Sequence, residues 1–167
     1  MIFLHPTTIE IREFRTLARG LLQAPVVQQM SAYTQHGDTS CLAHCVAVAW
    51  FSFLVYKRFG LHGQEHELVR AALLHDFFLY DWHEPGHQRL HGFHHPRIAA
   101  QNAIQYFDIT PLEQNTIRCH MWPLTILPPV HRLGWIVTMV DKACSIAEVF
   151  GCRYRSFLKP RRRPCQA

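Results

Sequence analysis

An ionisable pair, His75-Asp76, directly follows the apolar run Ala71-Ala-Leu-Leu74. Imidazole and carboxylate side chains are rarely buried without partners, so this pair constrains how the chain can fold around it. A divalent cation would be a partner for both side chains. The simpler alternative is a helix C-terminus, where His75 meets the helix dipole and Asp76 begins a loop. Taken alone, the dipeptide favours that alternative.

Two further ionisable residues lie inside apolar segments. His44 falls within the segment 41–54, and Asp141 follows the apolar run that ends at Val140. A hydrogen-bonded core histidine is the usual explanation for His44 alone, whereas a carboxylate at the position of Asp141 indicates a charged partner. Together with His75-Asp76 they place two imidazoles and two carboxylates on three predicted helices, which is how helical bundles build metal sites.

Apolar periodicity and capping residues predict an all-α, single-domain helical bundle. Thr7–Glu10 and Thr110–Glu113 have the form of capping boxes, which mark two helix starts. The pattern predicts helices over about 8–20, 26–33, 40–60, 64–76, 96–107, 110–120 and 132–150. Residues 77–95 mix aromatic, Gly, Pro and His residues without a period, which predicts a loop. No sustained two-residue alternation predicts a strand.

The order His…His-Asp…Asp resembles the HD-domain superfamily of metal-dependent phosphohydrolases, over about residues 30–150. More closely, the motifs Gln35-His-Gly-Asp-Thr-Ser40, Leu73-Leu-His-Asp76 and Asp141-Lys142 resemble a bacterial group of small predicted HD hydrolases. The resemblance implies an HD domain over 30–150, an N-terminal helical extension over 1–29 and a basic C-terminal tail over 151–167.

The same resemblance implies a dinuclear metal site. His95 follows Asp76 by 19 residues, and His120 follows His95 by 25, as in members of the superfamily that bind two ions. The implied ligands are His44, His75, Asp76 and Asp141 for one ion and Asp76, His95 and His120 for the other. His94 is an alternative ligand at this position. We prefer His95, because His95 directly precedes Pro96. The implied cofactors are divalent ions of Fe, Mn, Zn, Co or Ni.

The implied reaction is hydrolysis of a nucleotide or other small phosphate ester by metal-activated water, with Asp76 as the bridging catalytic carboxylate. Lys142 and Arg97 are candidates for binding phosphate oxygens, although Lys142 is equally explained as a surface lysine. His36 is a candidate proton donor to the leaving group, or a structural residue. Trp122 could stack on a base or sugar of the substrate, or could simply pack.

Two other functions remain open at this point. Some proteins with the same six-ligand pattern are non-haem di-iron oxygenases that cleave C–C or C–P bonds, and Tyr33 could approach such a site. Ligand types do not separate the two activities, because imidazole and carboxylate suit several transition metals. The third function is a non-catalytic nucleotide-binding sensor, with the basic tail contacting a partner.

Composition restricts the possible partners and location of the protein. Thirteen histidines in 167 residues are an excess that a metal site would explain, and 49% hydrophobic residues argue against disorder. Part of the net charge of +5 lies in the tail, so a nucleic-acid partner is not predicted. The six cysteines form no C-x-x-C pair. The N-terminus lacks a signal-peptide pattern, and the apolar segment 46–56 is too short to span a bilayer. We therefore predict a cytoplasmic protein whose partner is a small phosphate ester; a homo-oligomer is open.

Overall fold

The computed structural model describes residues 6–82 and 90–151, apart from the side chain of His36. Within these ranges the chain is predominantly helical and forms a single domain, which confirms the all-α prediction. The helices are α1 (Thr8–Gln23), α2 (Pro25–Gln28), α3 (Cys41–Arg58), α4 (Glu65–Leu74), α5 (His91–Tyr106), α6 (Pro111–Cys119) and α7 (Arg132–Val149), with a 3₁₀ turn at Gln29–Ala32. The boundaries 1–29, 30–150 and 151–167 stay predictions.

The helix starts follow the predicted capping residues. Thr7 and Glu10 form a capping box at α1, and Thr110 and Glu113 form one at α6. The Ser40 side chain accepts a hydrogen bond from the backbone N–H of Ala43 and so caps α3. These bonds satisfy N–H groups that have no partner within the helix. Helix α1 continues to Gln23, three residues beyond its predicted end.

Helix α3 is the centre of the core. Phe53, Leu54 and Tyr56 on this helix are fully buried, and α3 packs along α4 and α7. By length and composition α3 could cross a membrane, but 61% of the helix is buried inside the protein, the pattern of a core helix. The cysteines of the described residues, at 41, 45, 119 and 144, are buried and form no disulfide.

Two local predictions are wrong. A short antiparallel hairpin, β1 (Thr34–His36) and β2 (Thr39–Ser40), precedes α3, with Gly37 turning at φ +56°. It is too short to show a two-residue period. Helix α5 begins at His91 rather than at Pro96, so Pro96 lies inside the helix. Packing of His91 against the buried Phe78 ring, at 4.8 Å between centroids, holds a first turn that the local sequence does not favour.

Candidate metal centre

Five helices deliver the predicted ligands to one buried place. His44 lies in the first turn of α3, and Asp141 lies midway along α7. His75 and His120 are the C-caps of α4 and α6, so both helices end at the centre. His95 lies in the second turn of α5, and Asp76 directly follows α4. All six side chains are buried, the most exposed being Asp141 at 6%.

Three of these residues form a first cluster, His44, His75 and Asp141. The Nε2 atom of His44 lies 3.1 Å from Asp141 Oδ1, and the Nε2 atom of His75 lies 3.6 Å from the same oxygen. Their ligand atoms are close enough together to bind a single ion.

A second cluster is formed by Asp76, His95 and His120. Asp76 Oδ1 lies 3.1 Å from His95 Nε2 and 3.4 Å from His120 Nε2, and the two imidazole nitrogens are 2.9 Å apart. The neighbouring His94 is half-buried and belongs to neither cluster. The structure therefore places His95, rather than His94, in a cluster that could hold a metal ion.

Asp76 connects the two clusters through its two oxygens. While Oδ1 faces His95 and His120, Oδ2 lies 3.4 Å from His75 Nε2 and 3.8 Å from His44 Nε2. Gln35, on β1, donates from Nε2 to Asp76 Oδ2 at 2.5 Å and fixes the orientation of the carboxylate. A carboxylate in this position is suited to bridge two ions.

Hydrogen bonds at the Nδ1 atoms determine which histidine nitrogens face the centre. The Nδ1 atoms donate to backbone oxygens at 2.8–3.1 Å in three pairs, His75 to Ala72, His95 to His91 and His120 to Ile117. A carbonyl oxygen only accepts, so each Nδ1 carries the proton and each Nε2 can present a lone pair. Metal-ligating histidines are held in this way by partners on their other ring nitrogen.

The donor set fits a divalent cation. Without a cation or an added proton, the lone pairs of His95 and His120 would point at each other in a buried space. His75 Nε2 and Asp76 Oδ1 are also buried, and neither makes a hydrogen bond within the part of the chain that the structure describes. Uncompensated buried polar atoms are costly, and imidazole nitrogen with carboxylate oxygen is a ligand set used for Zn, Mn, Fe and Co.

The charges of the buried carboxylates also favour a cation at the centre. Burial alone would lower the pKa of His44, but the Asp141, Glu148 and Asp76 carboxylates raise that pKa well above its usual value. Burial would raise the pKa of Asp76, but the neighbouring histidines, His75 first, hold it well below its usual range. The Asp76 carboxylate is therefore ionised and requires positive charge beside it, from protons or from metal ions.

Glu148 is a residue that the sequence analysis missed. It lies on α7, is 4% exposed, and both of its carboxylate oxygens are 3.0 Å from His44 Nδ1. It accepts the Nδ1 proton and leaves His44 Nε2 for the centre. The sequence does contain a signal for Glu148. It follows Asp141 by seven residues, which is two helical turns, so Glu148 and Asp141 lie on the same face of α7.

A cavity of about 1000 Å³ opens onto the second cluster and Asp141. Lys142 lines this cavity, half-buried, and donates from Nζ to the His120 carbonyl oxygen at 3.2 Å. Burial lowers the pKa of Lys142, and Asp141 partly opposes that shift. The Lys142 Nζ atom therefore lies at the mouth of the centre, next to Asp141 and the second cluster.

Two predicted substrate-binding residues do not reach the cavity. Arg97 is exposed on α5, and Trp122 packs edge-on against Trp135 at 4.9 Å between ring centroids. Neither lines the cavity within the described residues. His36 ends β1, but its side chain lies outside what the structure describes, so its predicted role stays a prediction.

An aromatic stack supports His95 from the cavity side. The His91 ring stacks on the His95 ring at 4.6 Å and on the Trp82 ring at 5.1 Å, and its Nδ1 is 3.0 Å from the Tyr80 hydroxyl. Rings packed on both of its faces restrict rotation of the His91 imidazole. The His91 ring in turn covers one face of His95, whose Nε2 lies 3.1 Å from Asp76 Oδ1.

Comparison with known proteins adds no relative. No protein-family model matches the chain, and no curated protein matches its sequence. The buried histidine and aspartate cluster is therefore the feature of the molecule that points to a function.

Proposed function

We propose that this protein is an HD-type phosphohydrolase, which hydrolyses a small phosphate ester at a dinuclear metal site. The observation that carries the proposal is the position of Asp76, with one oxygen toward His95 and His120 and the other toward His75. A single carboxylate between two imidazole clusters is the arrangement that two adjacent ions require. Phosphoryl transfer is a reaction for which paired ions are well suited.

The chain's own residues have distinct tasks in this proposal. Ions held by the six ligands would supply Lewis acidity, lowering the pKa of water and neutralising charge on a phosphoryl group. Lys142 binds a phosphate oxygen, because its ammonium lines the cavity beside Asp141 and is held by the His120 carbonyl. Glu148 and Gln35 orient His44 and Asp76. The cavity that opens onto Asp76, His95, His120 and Asp141 gives water and substrate access to the ligands.

The oxygenase and the sensor are the competing hypotheses. The oxygenase hypothesis gave a role to Tyr33, but this side chain packs against the core and does not line the described part of the cavity. The sensor hypothesis places the partner on the basic tail, which lies outside the described residues. We propose a cytoplasmic location, with which the buried free thiols are consistent.

The direct test is release of inorganic phosphate from a panel of phosphomonoesters by protein loaded in turn with Mn²⁺, Co²⁺ and Zn²⁺. We expect turnover with at least one ion, and none above background in Asp76→Asn. Two iron ions per chain with substrate-dependent oxygen consumption would instead favour the oxygenase. Saturable nucleotide binding without turnover, whichever ion is loaded, would favour the sensor.

A further inference from the structure

The cavity above the metal centre has a polar floor and largely apolar walls. Its floor is formed by Asp76, His95, His120 and Asp141. The walls include five aliphatic or thioether side chains and one indole, from Leu90, Met121, Pro123, Leu124, Ile146 and Trp82. Leu124 and Ile146 are 44% and 59% exposed, so apolar surface faces solvent directly beside the proposed ligands. Exposed apolar surface in a concave site indicates binding of an apolar group.

Along helix α7, the residues on one side of the cavity change from polar to apolar. Asp141 belongs to the first cluster, and the Ser145 hydroxyl, one turn later, lies 3.4 Å from Asp141 Oδ1. Lys142 and Ile146 are also one turn apart, and both line the cavity. A ligand whose anionic end contacts Lys142 would therefore lay its other end against Ile146.

Another wall is formed where Leu124 packs against Gly92. A Cβ atom at Gly92 would lie 2.9 Å from Leu124 Cδ2, so a larger residue there would require the Leu124 side chain to shift away from the first turn of α5. This contact places an apolar side chain beside the segment that carries His91 and His95. Leu124 and Ile146 thus offer two apolar surfaces in one cavity.

The charge of the described cavity lining favours a ligand with a single phosphate group. Among the lining residues that the structure describes, Lys142 is the one lysine or arginine. Sites for triphosphates present several cations and backbone N–H groups to the phosphate chain. A phosphomonoester carries about two negative charges, which one lysine and the proposed ions can neutralise.

We propose, on the basis of the phosphohydrolase function above, that the substrate is a monophosphate ester of an apolar alcohol, bound with its hydrocarbon part between Leu124 and Ile146. Hydrolysis forms a bond between a water oxygen and phosphorus and breaks the bond between phosphorus and the ester oxygen. The alcohol leaves with a proton from that water, and inorganic phosphate is the second product. No oxidant or reductant is needed.

Binding of n-alkylphosphonates to the zinc-loaded protein tests the apolar subsite without turnover. Their C–P bond is not a hydrolysable ester, and zinc is redox-inactive. Calorimetry on the series from methyl to octyl should show Kd falling about fourfold per methylene until the chain fills the cavity. A Kd that does not change with chain length would overturn the proposal.

Two matched pairs of variants locate the subsite. Ile146→Gln should weaken octylphosphonate binding by about tenfold and leave methylphosphonate unchanged. Met139→Gln is the control, because Met139 is 61% exposed on the same helix and does not line the cavity. Leu124→Gln and Ile126→Gln form the second pair on the segment before α7. Equal effects of a variant and its control would contradict the assignment.

Turnover of the matching n-alkyl phosphates separates this proposal from the function on which it depends. Phosphate release whose kcat/KM rises with chain length supports both. Release at the same kcat/KM for every chain length would contradict the apolar subsite and leave the phosphohydrolase. Binding that tightens with chain length, without phosphate release with any metal ion, would contradict the phosphohydrolase and leave the subsite.

Discussion

His95 and His120 face each other through their Nε2 atoms at 2.9 Å, although each ring already donates its Nδ1 proton to a backbone oxygen. Both facing nitrogens can therefore present lone pairs, and Asp76 Oδ1 lies within 3.4 Å of each. Three acceptor atoms converge in a buried space, an arrangement that needs a cation. The relationship between these two histidines is the strongest local argument for a second metal ion.

Asp76→Asn is expected to lose bound metal and to reduce phosphate release by at least about 100-fold, because Asp76 faces both clusters. The substitution preserves shape but removes the charge. Metal content by elemental analysis and phosphate release by colorimetry measure the two effects. Asp108→Asn, on the exposed connection before α6, is the control and should match the unsubstituted protein. Full metal content in Asp76→Asn would mean that the ligand assignment is wrong.

His120→Ala and His95→Ala are each expected to reduce bound metal from about two ions to about one per chain, because the first cluster keeps its own ligands. Elemental analysis gives the number. His94→Ala, beside His95 but outside both clusters, should keep the full complement. Equal retention of metal in all three variants would indicate a single-ion site.

Glu148 is expected to set the metal affinity of the first cluster through His44. Glu148→Gln keeps an oxygen that can accept the His44 Nδ1 proton but loses the negative charge, and it should weaken binding by about tenfold. Glu148→Leu removes both contributions and should weaken binding by about 100-fold. Competition with a chromophoric chelator measures both values. Unchanged affinity in Glu148→Leu would rule out the orienting role.

An acid-sensitive ion pair joins α1 to α3. The side-chain hydrogen bond from Arg58 is the main cause that lowers the pKa of Glu10 to about 2, while burial opposes it. The unfolded pKa is higher, so the pair stabilises the fold fully above about pH 4.5 and progressively less as the pH falls towards 2. Because Arg58 is 37% exposed, we expect solvent screening to limit the contribution to about 1 kcal/mol.

Glu10→Gln should therefore lower the free energy of unfolding by about 1 kcal/mol at pH 7, and the difference should shrink below pH 4. Urea unfolding at pH 7, 5, 4 and 3, with the unsubstituted protein beside the variant, measures it. Glu13→Gln, which removes the more exposed partner of Lys57, is the comparison and should cost less. A difference that does not depend on pH would contradict the role assigned to Glu10.

The sequence allowed much of the architecture to be predicted, because local rules determine it. The capping boxes at Thr7 and Thr110 fixed two helix starts, and ionisable residues within apolar helices identified His44 and Asp141. Pro96 misplaced the start of α5, because tertiary packing of His91 overrode the local preference. No local rule shows such packing in advance.

The residues that line the cavity were harder to predict for a geometric reason. Arg97 follows His95 by two residues, which is about 200° around a helix, so one side chain faces the centre and the other faces solvent. Lys142 follows Asp141 by a single residue, about 100°, and does line the cavity. Gln35 contacts Asp76 because it lies in a hairpin, and the strands of this hairpin are too short to show a two-residue period in the sequence.

The most direct measurement is elemental analysis of the purified, untagged protein after incubation with a mixture of divalent transition metals and removal of unbound ions. The account predicts about two transition-metal ions per chain, held by the two clusters that Asp76 connects. No bound metal after supplementation would contradict the centre itself and, with it, the proposed phosphohydrolase.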